Sequence, residues 1–210
     1  SSYAFSGYRN VKLIDLSNYK IKKVTNMSKM FSMSGYNSSS FKIIGIENWN
    51  VSKVNDMRNM FFSTGHNASV FNIGNLSNWN TKNVTNMAYM FSSVAWNVSA
   101  FDLSFVSNWD VSNVTTMSNM FSGSGYYSDT WTVGDLSNWN TKNCKNMSQM
   151  FQKAGAYDAT IRNFGTLNIY ATNIQYIFNS FFGSGTINIY NNMEDNTKYF
   201  QAFTYSGRFV

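Results

Sequence analysis

The stretch LSNWNTKNVTNMAYMFSS, Leu76 to Ser93, sets a Trp among scattered Asn and then two Met and a Phe. It returns almost unchanged as LSNWNTKNCKNMSQMF at Leu136 to Phe151. The interval is two thirty-residue steps, and the intermediate copies are present: Met30-Phe31, Met60-Phe61, Met90-Phe91, Met120-Phe121 and Met150-Phe151. A fixed period of this size is the signature of stacked repeat units.

Other columns keep the same step. Asn18, Asn48, Asn78, Asn108, Asn138 and Asn168 form an Asn column, whose stacked side-chain amides are expected to bond along the axis, followed by Trp49, Trp79, Trp109 and Trp139. Val24, Val54, Val84 and Val114 lead to Cys144 and Ile174. Phe181 continues the Phe column after its Met is lost. No linker or second domain is evident. Residues 1–210 read as one repeat domain, with a capping coil over 1–30, regular repeats over 31–160 and degenerate coils over 161–210.

Each unit divides into two halves. Phe41 to Ile46, with Phe71 to Leu76, Phe101 to Val106 and Trp131 to Leu136, carries the apolar and β-branched pattern of a short strand. In Val84 to Phe91, Thr85 or Asn86 is placed to cap a helical turn. Met87, Met90 and Phe91 then fall at i, i+3 and i+4 on one face. The pattern predicts an α/β repeat solenoid, with right-handed coils like those of leucine-rich repeats. Each coil would hold a short parallel strand plus a short helical turn. A parallel β-helix is the alternative, which the helical spacing of Met-x-x-Met-Phe disfavours. Gly35, Gly65, Gly125, Gly155 and Gly185 are expected at positive φ. Ala95 interrupts that column and predicts a local change of conformation.

The repeat string resembles that of the BspA-like leucine-rich-repeat surface proteins, whose unit reads Asp-Leu-Ser-x-Phe/Trp-Asp-Thr-Ser-x-Val-Thr-x-Met-x-x-Met-Phe. Asp135 to Thr141 and Val114 to Phe121 carry the match. The resemblance is clear over residues 11 to 155. It departs in two ways: segments such as Ser34 to Ser40 lengthen each unit, and the family's frequent Cys after Met-Phe is absent. The resemblance implies an extracellular or cell-surface location and a role in adhesion or recognition.

Composition narrows the function classes. Only 12% of residues are charged, about half the usual share, and proline is absent. No run approaches the roughly 18 apolar residues of a membrane span, and no signal peptide is evident. The one histidine, His66, has no acid partner nearby in sequence, and the ten acidic residues recur at no fixed spacing. A nucleophile–base pair or metal site is therefore not expected, nor is a cofactor. The Met columns and Cys144 sit at core spacing, and the Trp column reads as buried rather than as a stacking platform.

Candidate contact residues lie in the variable loops. Tyr36, His66, Trp96 and Tyr126 recur beside Gly or Ala, and Tyr127 and Tyr157 extend the region. Asn37, Asn67 and Asn97 begin sequons in register and are candidate glycosylation sites. Arg9, Lys12, Lys20, Lys22, Lys23 and Lys29 face only Asp15 in the first thirty residues. Lys20, Lys22 and Lys23 form a candidate basic end contact, with a solvated cap as the plainer reading. No single Lys or Arg column repeats, so nucleic acid is not an expected partner. Two readings follow. One is a non-catalytic surface protein that binds a protein or glycan. The alternative is a structural subunit that pairs end to end with copies of itself into an extracellular filament.

Overall fold

The computed structural model describes residues 2–156 and 163–190. Among these residues seven short strands are present: β1 (Leu13–Asp15), β2 (Ser40–Ile44), β3 (Val70–Asn72), β4 (Ala100–Asp102), β5 (Thr130–Thr132), β6 (Asn163–Ile169) and β7 (Ser184–Ile189). All pairings are parallel. β1, β2 and β3 form one sheet, β4 and β5 a second, and β6 and β7 a third. Phe41 pairs with Phe71 and Phe101 with Trp131, so each step along a sheet is one thirty-residue unit.

The opposite side of each coil overturns the expected helical turn. Helix among the described residues is confined to two 3-10 turns, Ile46–Asn48 and Ser104–Asn108, neither in the Met-x-x-Met-Phe segment. That segment is a ribbon of consecutive β-turns. Met30 N–H donates to Met27 O, Ser32 N–H to Lys29 O and Ser34 N–H to Phe31 O. The alternate N–H groups leave the coil: Met27 donates to Asp56 O, Lys29 to Arg58 O, Phe31 to Met60 O and Met33 to Phe62 O, at 2.8–2.9 Å. The next coil repeats the scheme, with Met57 donating to Asn86 O and Phe61 to Met90 O. Every second amide closes a local turn and every other one binds the neighbour, so the backbone donors of the ribbon are satisfied.

Sterics explain why no helix forms. Parallel bonds on the strand side and on the ribbon side both hold successive coils near 4.8 Å apart. An α-helix needs about 10 Å of width, so a helix in each coil would break the ribbon-side bonds and curve the stack about its strands. Consecutive turns also place i, i+3 and i+4 on one face, which is why the Met and Phe spacing imitates a helix. The ribbon demands positive φ at two places per coil, at Lys29 and Met33, Asn59 and Ser63, and Tyr89 and Ser93. Each such residue costs about 1–2 kcal/mol, offset by the cross-coil bond and core burial. The fold is therefore neither the strand-plus-helix coil nor an all-strand coil.

Asn, Asp or Thr opens each ribbon. Asn26, Asp56, Asn86 and Asn146 accept through Oδ1 from the amide two residues on. Asn86 thus caps a turn rather than a helix. The core lies between the ribbon and the strands. Met27, Met57, Met87, Met117 and Met147 are fully buried, as are Phe31, Phe61, Phe91, Phe121 and Phe151. The Phe rings stack at 5.4–5.9 Å, and Phe5 adds a rung before Phe31. The Trp column is buried too. Trp79, Trp109 and Trp139 donate Nε1–H to the carbonyls of Ile46, Leu76 and Val106 in the preceding coil at 2.9–3.0 Å.

Three further expectations are corrected. The last regular step is 27 residues: Asn146 bridges to Asn173, and Phe151 stacks face to face on Phe178, with Phe181 tilted beside it. Asn168 therefore leaves the Asn column and accepts through its carbonyl from Thr141, Ile174 leaves the Val column, and Gly185 lies in β7 rather than in the Gly column. The Asn column from Asn18 to Asn138 is exposed, and Asn48 donates to Glu47 rather than along the axis. Ala95 keeps the left-handed conformation of its column, φ 49° beside 58° at Gly65 and 52° at Gly125.

Ala95 belongs to the coil where the sheet breaks, between β3 and β4. That coil differs from its neighbours at two points. Ala95 adds a methyl where a Cβ on Gly65 would lie 2.2 Å from Phe71; Phe101, the ring in the equivalent place, is turned edge-on to Phe71 at 81°. Ser104-Phe105 replaces the Gly74-Asn75 pair, and Phe105 packs against Phe91 and Trp109 from a 3-10 turn.

These observations set two stability predictions. Ala95→Gly relieves the left-handed strain and stabilises by about 1 kcal/mol, whereas Gly65→Ala destabilises by more than that, because strain and a ring clash add. Phe91→Ala removes a central rung and costs about 3–5 kcal/mol. Urea unfolding midpoints of the three variants check both; a Gly65→Ala protein as stable as the parent would contradict the ribbon geometry.

Candidate functional site: a ladder of loop aromatics

The loop after each ribbon turns at Gly35, Gly65, Ala95 or Gly125 and delivers an aromatic ring just outside the core. The turn is fixed by the amide at that position, which donates to the coil before it: Gly65 to Ser34 O, Ala95 to Thr64 O and Gly125 to Val94 O. The rings consequently come into register. Tyr36 stacks on His66 at 4.7 Å and 2°, His66 on Trp96 at 5.2 Å and 27°, and Trp96 on Tyr126 at 4.4 Å and 11°. Arg9 covers the free face of Tyr36, its guanidinium 5.0 Å from the ring centre. Tyr127, the most exposed of the set at 48%, stands edge-on to Tyr126 and Trp96. Tyr157 lies outside the described residues.

The ladder spends most of its ring faces on itself. Tyr36, His66, Trp96 and Tyr126 are half-buried, and what they present outward is ring edges. A row of amides runs beside them. Asn37 donates to Asn10 Oδ1 at 3.1 Å and Asn97 to Asn67 Oδ1 at 3.3 Å. Tyr127 occupies the next place in that row. The three register sequons are thus exposed and cross-linked to neighbouring coils, Asn37 and Asn97 through the side-chain nitrogen that a glycan would occupy and Asn67 through its oxygen.

Burial pulls the His66 imidazole below its ordinary value, only partly opposed by its contact with the Ser93 carbonyl at 3.2 Å from Nδ1. Cys144 is buried in its Val column and its thiol is pushed up to about 11, chiefly by burial. Among the described residues no group of three or more His, Cys, Asp or Glu is placed to hold a metal ion, and no helix is long and apolar enough to cross a membrane. Lys20, Lys22 and Lys23 are exposed on the first coil, away from the ladder.

One feature escaped the sequence reading. The break between β3 and β4 opens a polar groove of about 560 Å³, lined by Asn72, Asn75, Asp102, Ser104 and Phe105 among others. Its signal was present in the chain, since Ser104-Phe105 is the place where the Gly of neighbouring units is lost. Reading it as a groove required knowing that Phe105 turns inward.

The single histidine makes the ladder measurable. One imidazole resonance, His66, titrates below about 6.5. Its neutral form is the one the fold prefers, so its stabilising contribution is full above the unfolded value and is lost as pH falls through the lowered folded value. Stability is expected to drop between pH 7 and 5, and the drop to shrink in His66→Phe. A resonance titrating above 6.5 would mean the ring is not in the stack.

No curated protein and no solved structure matches the chain. A family match covers residues 1–104 and again 93–186, to the family described as "Mycoplasma protein of unknown function, DUF285". The two matches tile the same repeated coils from which the ladder is built, and on that extent of match this chain is a member of the DUF285 repeat family.

Proposed function

We propose that this chain is a non-catalytic recognition module of a cell surface, and that the aromatic ladder and its amide row form the contact surface for a glycan or protein ligand. One observation carries the reading: rings recur outside the core in register, where the fold needs only a residue able to turn. Core columns are filled by Phe, Met and Trp without them. Edges, hydroxyls and amides in a rigid row suit many weak contacts made together, each rung adding to the avidity of the rest. Surface location rests on the resemblance to BspA-like proteins. Ring faces already stacked on each other disfavour sugar stacking along the middle of the ladder and leave Tyr127 as the exposed anchor.

A second reading has its own support. Among the described residues the outer edge of β1 has no partner strand, and the first coil exposes Leu13, Tyr3, Tyr8 and Tyr19, each more than half accessible. An unpaired parallel edge with aromatic cover suits pairing with another chain, and repetition of such a contact yields a filament.

Arrays of glycans and host-surface proteins test the first reading. Tyr127→Ala and Trp96→Ala should each weaken capture by about 30-fold, the effect of losing an interface anchor worth about 2 kcal/mol, with little change in thermal midpoint for the exposed Tyr127 and a lower midpoint for Trp96, whose loss also breaks the stack. Absence of any captured ligand, or capture indifferent to both substitutions, would sink it. For the second reading, electron microscopy at high protein concentration should show filaments; uniformly single particles would refute it.

A further inference from the structure

The segments that follow the Trp column, residues 20–25, 50–55, 80–85, 110–115 and 140–145, are brought together on one ridge of the coils. Thr25, Asn55, Thr85 and Thr115 accept at their carbonyls from Asn55, Thr85, Thr115 and Lys145 amides. Asn83, Asn113 and Asn143 side chains donate to the Ser52, Lys82 and Ser112 carbonyls at 2.7–2.8 Å. These bonds run the length of the ridge and fix its backbone.

The ridge carries Lys20, Lys22, Lys23, Lys53, Lys82, Lys142 and Lys145, and a single acid, Asp110. All seven lysines are exposed and none is in an ion pair among the described residues. The chain has 16 Lys and Arg against 10 Asp and Glu; removing these seven and this one leaves nine of each. The whole net charge of +6 therefore resides on this one ridge. No single column shows it, because Lys22, Lys82 and Lys142 alternate with Ser52 and Ser112 while Lys23 and Lys53 lie in the next column.

We infer that this ridge binds a linear acidic polysaccharide. Charge is laid along the stacking axis over five coils, roughly 19 Å at about 4.8 Å per step, which suits a polymer lying along it. Lysines supply hydrated point charges, and the intervening Asn50 and Asn80 supply side-chain amides, with the Thr85 and Thr115 hydroxyls, which donate to Asn55 O and Thr85 O, left as acceptors for a ligand that carries hydroxyls as well as anions. The ridge lacks what other polyanions use. It has no arginine, and only Tyr19 at its border is an exposed aromatic, so base edges and faces have little to meet. Of its apolar side chains, Ile21, Val51, Val54, Val84, Val111 and Val114 are buried in the core and Val24 packs partly buried against it, leaving no exposed anchor for a bilayer interface. Along the coil the ridge is separated from the aromatic ladder by the turn ribbon, so the two surfaces act independently.

Sulfated dextran is the probe, with neutral dextran, double-stranded DNA and phosphatidylserine vesicles in parallel. The protein should bind sulfated dextran, more weakly as salt rises, and not neutral dextran. Lys20→Gln/Lys22→Gln/Lys23→Gln should weaken it by about fivefold per lysine, roughly a hundredfold in all, with the thermal midpoint unchanged. The off-ridge variant Lys12→Gln/Lys42→Gln/Lys153→Gln, with the same net charge, should bind within about twofold of the parent. Equal loss in both variants, no binding to sulfated dextran, or tighter binding to DNA or vesicles would each overturn the inference. Trp96→Ala leaves this binding intact, which keeps it distinct from the ladder.

Discussion

Parallel hydrogen bonding between coils, continuous along the ribbon and divided among three sheets on the strand side, is the constraint on which the rest of this structure depends. Strand pairs such as Phe41 with Phe71 fix the spacing on one side. Ribbon bonds such as Phe61 N–H to Met90 O fix it on the other. With both sides held near the interstrand distance, no element wider than a single extended or turned backbone fits. The coil must also return to the same place after thirty residues. Its side chains then stack on their own copies, and one residue choice is repeated as a column.

Columns stacked in this way do different work according to where they point. Inside, Phe and Met fill the space at ring-stacking distances, and each indole finds a carbonyl one coil back, so a buried N–H is not stranded. At the ribbon entrance, Asn and Asp side chains occupy amides that would otherwise lack a partner. Outside, the same register produces the aromatic ladder, the amide row and the lysine ridge. None of these three is required for the coil to close. They are where a repeat of fixed geometry carries variable chemistry, which is the position that loops hold in other scaffolds.

The coil at the break between β3 and β4 shows how closely conformation and sequence are coupled. Ala95 tolerates a left-handed backbone because the bond from its amide to Thr64 O is retained, while the ring beneath it turns. Phe105 enters the core in place of a glycine turn. Together they accompany the loss of strand pairing between β3 and β4 and the opening of the polar groove. The ribbon side continues across this point, Asp56 to Asn86 to Thr116, so the stack survives a gap on one side because the other is intact.

By itself the sequence determined the period, the core columns of Met, Phe and Trp, the strand positions near Phe41, Phe71 and Phe101, and the loop rings at 36, 66, 96 and 126. Each of these follows from repetition and from residue type, which are local. It did not determine that Met-x-x-Met-Phe is a turn ribbon, because an i, i+3, i+4 face is common to a helix and to consecutive turns. The choice between them is made by the width available between coils, which exists only once coils stack. The shortened last step, the ring faces consumed within the ladder and the gathering of Lys20, Lys53, Lys82 and Lys145 on one ridge were likewise decided by tertiary structure. Each depends on which residue of one coil lies over which residue of the next.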